Sequence, residues 1–373
     1  TVATNAILES KGPIVGLIAT KGFGDVLEIG RGGWGADVHD LSWIKPEPLV
    51  ARANRHEIDE RISAQGEVLR APEHSQIAQE LGRLYAAGIR DVAVCLLNSY
   101  VDSRHERLVH TIGERLYPDM NICCSIDVLG EAREYERTST TVINAYLMPV
   151  VDRYLQRLQT ALHGVGYTGS VLVMQSNGGL ISADTARRHP VNIVESGPAA
   201  GVLSACYLAE QTGELNLIAF DMGGTTAKAS LIENGKPFES SEYHVGGGMS
   251  HSGSGGGGHV IRVPSIEIAE VGAGGGSIAW LDAGGALRVG PRSAGAAPGP
   301  ACYDLGGAEP TTTDAYAALG YLNPTAIAGG AKNIVVDKAN AVISKQIATS
   351  AGLSVEEAAY GIYAVATSNM IRA

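Results

Sequence analysis

One segment of the chain, LIAFDMGGTTAKASLI, combines residue types that could hold a phosphate group. Gly223 and Gly224 let an anion approach the backbone, and they permit left-handed angles that gather successive N–H groups into one concavity. Thr225 and Thr226 add hydroxyl donors. Asp221 is expected to hold a hydrated Mg²⁺ (or Mn²⁺), because a carboxylate repels a bare phosphate. The set would suit a nucleotide triphosphate whose charge is shared between amides and a metal.

The same residues also allow a plain glycine-rich hairpin with a solvated Asp. Short glycine motifs often match by chance, so the segment alone leaves both interpretations open. A P-loop is excluded, because that motif joins a strand to a helix and ends in Gly-Lys-Ser/Thr. Here Leu217–Phe220 and Lys228–Ile232 predict two strands. Asn234 and Gly235 favour a tight turn into PFESSEYHV, so we expect a three-stranded antiparallel meander.

Upstream of this segment, strand and helix patterns alternate. Residues 12–20 and 91–100 are apolar runs of buried-strand length, and residues 72–88 have apolar side chains at helical spacing. Another helix is predicted at 103–116, and this order favours a largely parallel sheet covered by helices. Residues 137–164 predict one long helix with a kink at its proline.

Several smaller signals concern structure rather than chemistry. Gly246–Gly258 is a low-complexity tract that is not expected to form a packed element. His251 and His259, in and just after this tract, match no metal spacing and are interpreted as flexible loop residues. Asp314 follows three threonines and is expected to help start a helix. The SVEE sequence at Ser354 predicts a capping box.

Composition and charge narrow the class of protein. The chain has 373 residues, of which 45% are hydrophobic and 18% charged, which is typical of a globular protein with two or three domains. Its net charge of -11 argues against nucleic-acid binding, because such binding needs basic surface. Five cysteines without CxxC spacing indicate reduced thiols and no zinc cluster. Without a signal peptide or membrane span in the sequence, we predict a cytoplasmic location and no membrane partner.

Motifs along nearly the whole chain resemble one family. They are TVATNAILESKG, TKGFGDVLEIGR, REYERTSTTVINAYLMP, VMQSNGGL, VESGPAAGV, FDMGGTTAKASLIENG, VGAGGGSIAWLDAGGALRVGPRSAGAAPGPACYDLGG and EPTTTDAYAALGYL. Together they are similar to the hydantoinase A / 5-oxoprolinase / acetone carboxylase β group. The resemblance implies an α/β fold of the actin-like ATPase type, with ribonuclease H-like lobes of mixed sheets flanked by helices. We expect one lobe over residues 1–213 and the other, with the hairpin, over 214–373.

The resemblance assigns roles to the hairpin. In this family an Asp-x-Gly-Gly-Thr hairpin binds phosphate, which here corresponds to Asp221, Gly223, Gly224 and Thr225. Many relatives carry a second Asp where this chain has Lys228. Either Lys228 contacts a phosphate directly, or metal and water are organised in another way. Asp221 and Lys228 are therefore the candidate catalytic residues, and Asp221 is also the candidate metal ligand.

Two further sites follow from the same resemblance. The glycines of GAGGGS, Gly274, Gly275 and Gly276, are expected to wrap the nucleotide, with a structural tight turn as the alternative. Arg137 and Asn144 lie where the resemblance is dense and are candidates for contact with substrate or between lobes. Ion pairs at a solvated helix start are the plainer interpretation of the charges around Arg137.

The implied function is an ATP-using subunit that phosphorylates a small-molecule carbonyl substrate so that a cyclic amide can be opened by hydrolysis. ATP-dependent carboxylation of a ketone such as acetone or acetophenone is the alternative, and a non-catalytic scaffold is a third. We expect a hydantoinase B-like partner in a hetero-oligomer. The family also has a phosphate loop before TVATN and a nucleoside loop after SNMIRA, so we expect these 373 residues alone to bind ATP weakly.

Overall fold

The structure, a computed structural model, describes residues 2–8, 10–31, 47–245, 258–325 and 334–371. The chain divides into two compact units: a first unit of 1–207 with 237–267, and a second unit of 208–236 with 268–373. The lobe boundary at 213/214 stays a prediction, while residues 237–267 belong with the first unit. Within the described residues, no helix is both long enough and apolar enough to cross a membrane.

Helices and strands alternate through the first two hundred residues. In chain order they are α1 (Val2–Leu8), β1 (Val15–Thr20), α2 (Val26–Ile29), β2 (Arg55–Ile58), β3 (Arg61–Ile62), β4 (Val68–Arg70), α3 (His74–Ala86), β5 (Asp91–Cys95), α4 (Arg104–Leu116), β6 (Asn121–Cys124), α5 (Ser125–Val128), α6 (Glu134–Gly164), β7 (Leu172–Met174), β8 (Leu180–Ser182), α7 (Ala183–Arg188) and α8 (Ser196–Thr212). Short 3₁₀ turns lie at Arg52–Asn54 and Pro190–Ile193.

The rest of the chain is mostly antiparallel strand until its last helices. The elements are β9 (Leu217–Met222), β10 (Ala227–Glu233), β11 (Lys236–Pro237), β12 (Glu239–Ser240), β13 (Tyr243–Val245), β14 (His259–Ile261), β15 (Ser265–Ile266), β16 (Ala269–Val271), β17 (Ser277–Leu281), β18 (Leu287–Ser293), α9 (Thr312–Ala318), α10 (Val336–Ile343), α11 (Thr349–Ala351) and α12 (Val355–Ile371). The predicted α/β class is confirmed.

The first unit is built on a parallel sheet in the strand order β2-β1-β5-β6, which confirms the predicted βαβ arrangement. Alternate residues of each strand face opposite layers. Leu17 and Ala93 pack in the core that includes α6, whereas Ile18 and Val94 pack in the core that includes α3 and α4. Both faces are covered, so the strands read as continuous apolar runs.

Helix α6 confirms the predicted long helix and begins slightly earlier, at Glu134. Pro149 lies inside it. Its first half is buried along its whole circumference, which explains why its apolar and small polar residues show little amphipathic pattern.

The predicted meander is confirmed in its first two strands and is wrong in its third. β9 and β10 pair antiparallel from 217–222 to 227–232, and β11 adds only two residues beyond the Asn-Gly turn. The rest of PFESSEYHV leaves this sheet, because β12 pairs with β15 and β13 with β14. β16 then occupies the edge of β10 at Ala227–Ala229.

Residues near the glycine tract give one correction. Residues 246–257 of the tract, His251 among them, lie outside the described part of the chain. His259 is not a loop residue, because it begins β14 and pairs with Val245. Burial lowers the pKa of His259, so its imidazole favours the neutral form.

The end of the second unit packs helices on the β17–β18 hairpin. Ala279 and Val289 of that hairpin share a core with Ile343 and Ile362 of α10 and α12. The predicted capping box is present, since Ser354 and Glu357 exchange backbone-to-side-chain hydrogen bonds. Asp314 also starts a helix as predicted, in a capping box with Thr311.

Candidate functional site

The hairpin between β9 and β10 brings six of the predicted site residues into one place. Asp221 on β9 is the direct cross-strand partner of Lys228 on β10. Between them the chain turns through residues 223–226, and the Gly223 N–H donates to the Thr226 carbonyl at 2.9 Å. Gly223, Gly224 and Thr225 are exposed, as is Asp221. The two glycines, the two threonines and both charged groups therefore share one accessible turn.

The carbonyl groups of this turn point to one side. Gly275 donates its N–H to the Gly223 carbonyl at 2.9 Å, and Gly276 donates to the Gly224 carbonyl at 2.6 Å. In a trans peptide the carbonyl and the following N–H point in opposite directions, and the peptides here are trans. The N–H groups of Gly224 and Thr225 therefore point away from residues 274–276.

Three consecutive N–H groups of the turn are unused. The usual turn bond from the Thr226 N–H to the Gly223 carbonyl is not formed, and that carbonyl accepts from Gly275. Among the described residues, the N–H groups of Gly224, Thr225 and Thr226 have no hydrogen-bond acceptor. Adjacent free amides on an exposed turn form a concavity that suits an anion.

Residues 274–276, which we call the glycine clasp, are held firmly from behind. Thr313 donates both its N–H and its hydroxyl to the Gly275 carbonyl, each at 2.8 Å. The Ala294 N–H donates to the Gly276 carbonyl at 2.8 Å, and the Gly274 N–H donates to Ser277 Oγ at 2.8 Å. The clasp thus links the start of α9 to the turn and fixes the direction of the turn carbonyls.

Packing requires glycine in the clasp. A Cβ atom at Gly274 would lie 2.6 Å from the Thr225 carbonyl carbon, and one at Gly276 would lie 2.8 Å from the Gly224 carbonyl oxygen. At Gly275 it would lie 2.7 Å from Thr313 Oγ1. The two backbones can touch only because these side chains are absent. The predicted ligand contacts of Gly274–Gly276 stay a prediction, and the structure gives these residues the structural use that was the alternative.

Packing does not require glycine at 224. A Cβ atom there would meet no atom within 4 Å, and at Gly223 the nearest is the Thr226 carbonyl oxygen at 3.4 Å. The expectation that these glycines adopt left-handed angles is wrong, because neither φ lies in that region. The described residues therefore do not explain the glycine at 224, whereas a ligand seated against the turn amides would.

A row of three charged residues crosses the sheet beside the turn. Lys228 is paired in register with Asp221 on one side and with Glu270 of β16 on the other. Its Nζ lies 3.8 Å from Glu270 Oε1. Sequence reasoning missed Glu270, which pairs with Lys228 only through the non-local β10–β16 ladder. The ammonium group of Lys228 is thus flanked by carboxylates on both sides.

Asp221 fits the metal role only together with a ligand. Among the described residues, no group of three or more His, Cys, Asp or Glu side chains could hold a metal ion. Mg²⁺ usually keeps several waters and binds through one or two carboxylates plus substrate phosphates. An exposed carboxylate beside free turn amides would therefore suit Mg²⁺ that arrives with a phosphate.

Arg137 and Asn144 belong to the first unit, whereas the hairpin belongs to the second. Both are fully buried. Arg137 donates from Nη2 to the Leu96 carbonyl at 2.6 Å. Asn144 donates from Nδ2 to the Arg188 carbonyl at 3.0 Å and accepts from the Val191 N–H at 3.2 Å. These contacts join α6 to its neighbours, and a role in substrate contact stays a prediction.

The fold and the turn define an α/β protein with free backbone amides at a strand-to-strand turn. Residues 137–373 match the hydantoinase/oxoprolinase family, and residues 1–117 match the N-terminal region of that family. The chain therefore belongs to the hydantoinase/oxoprolinase family, as its motifs predicted.

Similar proteins include both ketone carboxylases and a caprolactamase. The acetophenone carboxylase gamma subunit of Aromatoleum aromaticum is 35% identical over 100% of this chain and 51% of its own length. The ATP-dependent caprolactamase of Pseudomonas jessenii has a solved structure with a TM-score of 0.76, 37% identity and coverage of 100% of this chain and 52% of that one. A nucleotide-free acetone carboxylase structure has a TM-score of 0.82 at 28% identity, covering 99% and 52%. The chain spans about half the length of the curated relatives it matches.

Proposed function

We propose that this chain is the ATP-using part of an enzyme that phosphorylates a carbonyl group so that a cyclic amide can be hydrolysed. The observation that carries the proposal is the set of three adjacent free N–H groups at Gly224, Thr225 and Thr226, of which the first two point away from the clasp. The two similar proteins of known structure are described as ATP-dependent enzymes, which supports ATP as the source of the phosphate.

The turn would act on the phosphoryl group by position and charge. In phosphoryl transfer the bond from the γ-phosphorus to its bridging oxygen breaks while a bond to the amide oxygen forms. Charge on the phosphoryl oxygens is stabilised by fixed donors that need no reorganisation, which the clasp provides by fixing the turn. Mg²⁺ held by Asp221 would supply further charge neutralisation. Water then adds to the activated carbon, the ring C–N bond breaks as the nitrogen takes a proton and leaves as an amine, and hydrolysis of the resulting acyl phosphate releases inorganic phosphate.

Ketone carboxylation is the second candidate. The acetone carboxylase structure gives the higher TM-score of the two, 0.82 against 0.76, although its identity is lower. The same cradle would then serve phosphorylation of an enolate oxygen. A non-catalytic scaffold is disfavoured, because assembly alone gives no reason for free, outward amides at Gly224–Thr226.

A partner subunit is part of the proposal. The acetophenone carboxylase relative is named as one subunit of its enzyme. We propose a hydantoinase B-like partner that contributes to the substrate site, in a cytoplasmic hetero-oligomer.

The test is a nucleotide-turnover assay of the assembled enzyme over hydantoin, 5-oxoproline, caprolactam, acetone and acetophenone. We expect a cyclic amide to stimulate release of inorganic phosphate, with ring-opened product in equal amount. Stimulation by a ketone with bicarbonate instead would select the carboxylase. No release with any compound, in an enzyme that retains its melting temperature, would refute ATP use.

A further inference from the structure

We infer that Ser293 is a positioning residue that orders the Thr225 hydroxyl for phosphate, an inference that rests on the proposed function. Ser293 ends β18, outside the hairpin. Its hydroxyl accepts a hydrogen bond from Thr225 Oγ1 at 3.3 Å and donates to the Gly224 carbonyl at 3.4 Å. It also accepts from the Gly295 N–H at 3.2 Å. One hydroxyl thus contacts both the backbone and the side chain of the turn.

The surroundings of Ser293 fix where its hydroxyl lies. Ser293 is paired in register with Ser277, whose own hydroxyl accepts from the clasp at Gly274. A Cβ atom at Gly276 would lie only 2.9 Å from Ser293 Oγ. The hydroxyl therefore lies between the clasp and the turn, and the Gly295 N–H holds it from a third direction.

The hydrogen-bond directions allow a relay. Thr225 has one hydroxyl proton, and without a ligand the hydroxyl donates it in a hydrogen bond to Ser293 Oγ. A phosphate on the outward amides offers a stronger, charged acceptor, so the Thr225 proton rotates towards it. Thr225 Oγ1 then becomes an acceptor for the Ser293 proton. Each proton stays on its own oxygen, and only two O–H bonds rotate.

Ser293 can give up its present acceptor at little cost. Its bond to the Gly224 carbonyl is long at 3.4 Å, and that carbonyl keeps the shorter bond from the Gly276 N–H at 2.6 Å. The clasp thus remains closed while Ser293 changes partner. Among the described residues, Ser293 is the hydrogen-bond partner of the Thr225 hydroxyl, so in a Ser293 variant phosphate binding must order that side chain.

The experiment is a double-mutant cycle on the assembled enzyme with Mg-ATP: Ser293→Ala, Thr225→Val and both together. We expect Ser293→Ala to raise the KM for ATP roughly 3- to 10-fold with kcat nearly unchanged, since one hydrogen bond is lost. In the Thr225→Val background, Ser293→Ala should add nothing. Ser350→Ala, on an exposed hydroxyl of α11, is the matched control and should leave KM unchanged.

The outcomes separate the inference from the proposed function. Equal effects of Ser293→Ala in both backgrounds, or a lowered melting temperature with unchanged KM, would overturn the relay. An unchanged KM in Thr225→Val, in an enzyme that loses turnover on Asp221→Ala, would also overturn it while the proposed function stands. Normal ATP turnover in all hairpin variants would instead reject the proposed function itself.

Discussion

The second unit contains two hairpins with the same Asp-x-Gly-Gly pattern, and they differ in where their amides point. In DAGGA, Asp282 Oδ1 accepts from the N–H groups of Gly284 at 3.0 Å and Ala286 at 2.9 Å. The Asp282 carbonyl accepts from Gly285 at 2.8 Å. In DMGGT, Asp221 accepts no such bonds from the described residues, and the amides of Gly224, Thr225 and Thr226 stay free among them.

The difference teaches that the surroundings, rather than the four-residue pattern, decide the use of such a turn. DAGGA satisfies its own donors and needs nothing from outside, so it is the plain hairpin that the motif also allows. In the other turn the clasp captures the carbonyls of Gly223 and Gly224, which leaves the following amides facing outward. Stability should therefore depend on DAGGA and the clasp, and activity on DMGGT.

The largest expected effect is on turnover in Asp221→Ala. We expect ATP turnover to fall at least about 100-fold, because the Mg²⁺ that neutralises the phosphate charge loses its carboxylate ligand. The side chain is exposed, so the melting temperature should stay within a few degrees. Asp282→Ala is the matched control: its melting temperature should fall while turnover of the remaining folded enzyme is unchanged. Normal turnover in Asp221→Ala would end the metal-anchoring role.

Next in size is the stability loss in Gly274→Ala. The added Cβ would lie 2.6 Å from the Thr225 backbone, so turn and clasp must separate. We expect the free energy of unfolding to fall by about 1–3 kcal/mol, as in overpacked cores. Chemical denaturation measures it. An unchanged stability would mean that the clasp does not hold the turn.

Gly224→Val should show a smaller effect, and in contrast to Gly274→Ala it should change the KM for ATP rather than stability. Its side chain enters space that is open in the structure, so stability should change little, while crowding of the amides raises the KM for ATP about tenfold. Gly285→Ala in DAGGA is the control. Its φ of +79° disfavours a side chain, so it should lose about 1 kcal/mol of stability with KM unaltered. A Gly224→Val enzyme with normal KM would contradict the cradle.

The smallest effect is a pH dependence at DAGGA. The N–H of Ala286, and then Arg288, lower the pKa of Asp282 below its ordinary 3.8. A lowered folded-state pKa means that the carboxylate stabilises the fold above pH 3.8 and loses this effect as the pH falls through the folded-state value. The difference in melting temperature between the parent and Asp282→Ala should thus be largest at pH 7 and become smaller as the pH falls below 3.8. A gap that grows on acidification would contradict this sign.

Local patterns predicted much of the fold. The buried strands β1 and β5, the helices α3, α4 and α6, the capping box at Ser354 and the helix start at Asp314 follow from apolar spacing and end residues. The pairing of PFESSEYHV could not be predicted in this way, because its ladders of two and three residue pairs with β15 and β14 depend on distant partners rather than on propensity.

The site shows the same limit. The residue types of the turn were evident from the sequence, but the outward direction of its amides depends on bonds from a loop some fifty residues later. Glu270, Ser293 and Thr313 were missed as members of the site for that reason. The TTTD sequence held a signal for Thr313, since a helix start with spare hydroxyls can hold a neighbouring carbonyl.

The central claim is that Gly224, Thr225 and Thr226 keep free amides for a phosphate. Hydrogen–deuterium exchange of the assembled enzyme, with and without Mg²⁺ and a non-hydrolysable ATP analogue, tests it directly. We predict fast exchange of these three amides without nucleotide and strong protection with it. The amides of 275–276 and 284–286, already bonded, should exchange slowly in both conditions. Slow exchange at 224–226 without nucleotide, or no protection at saturating nucleotide, would contradict the account.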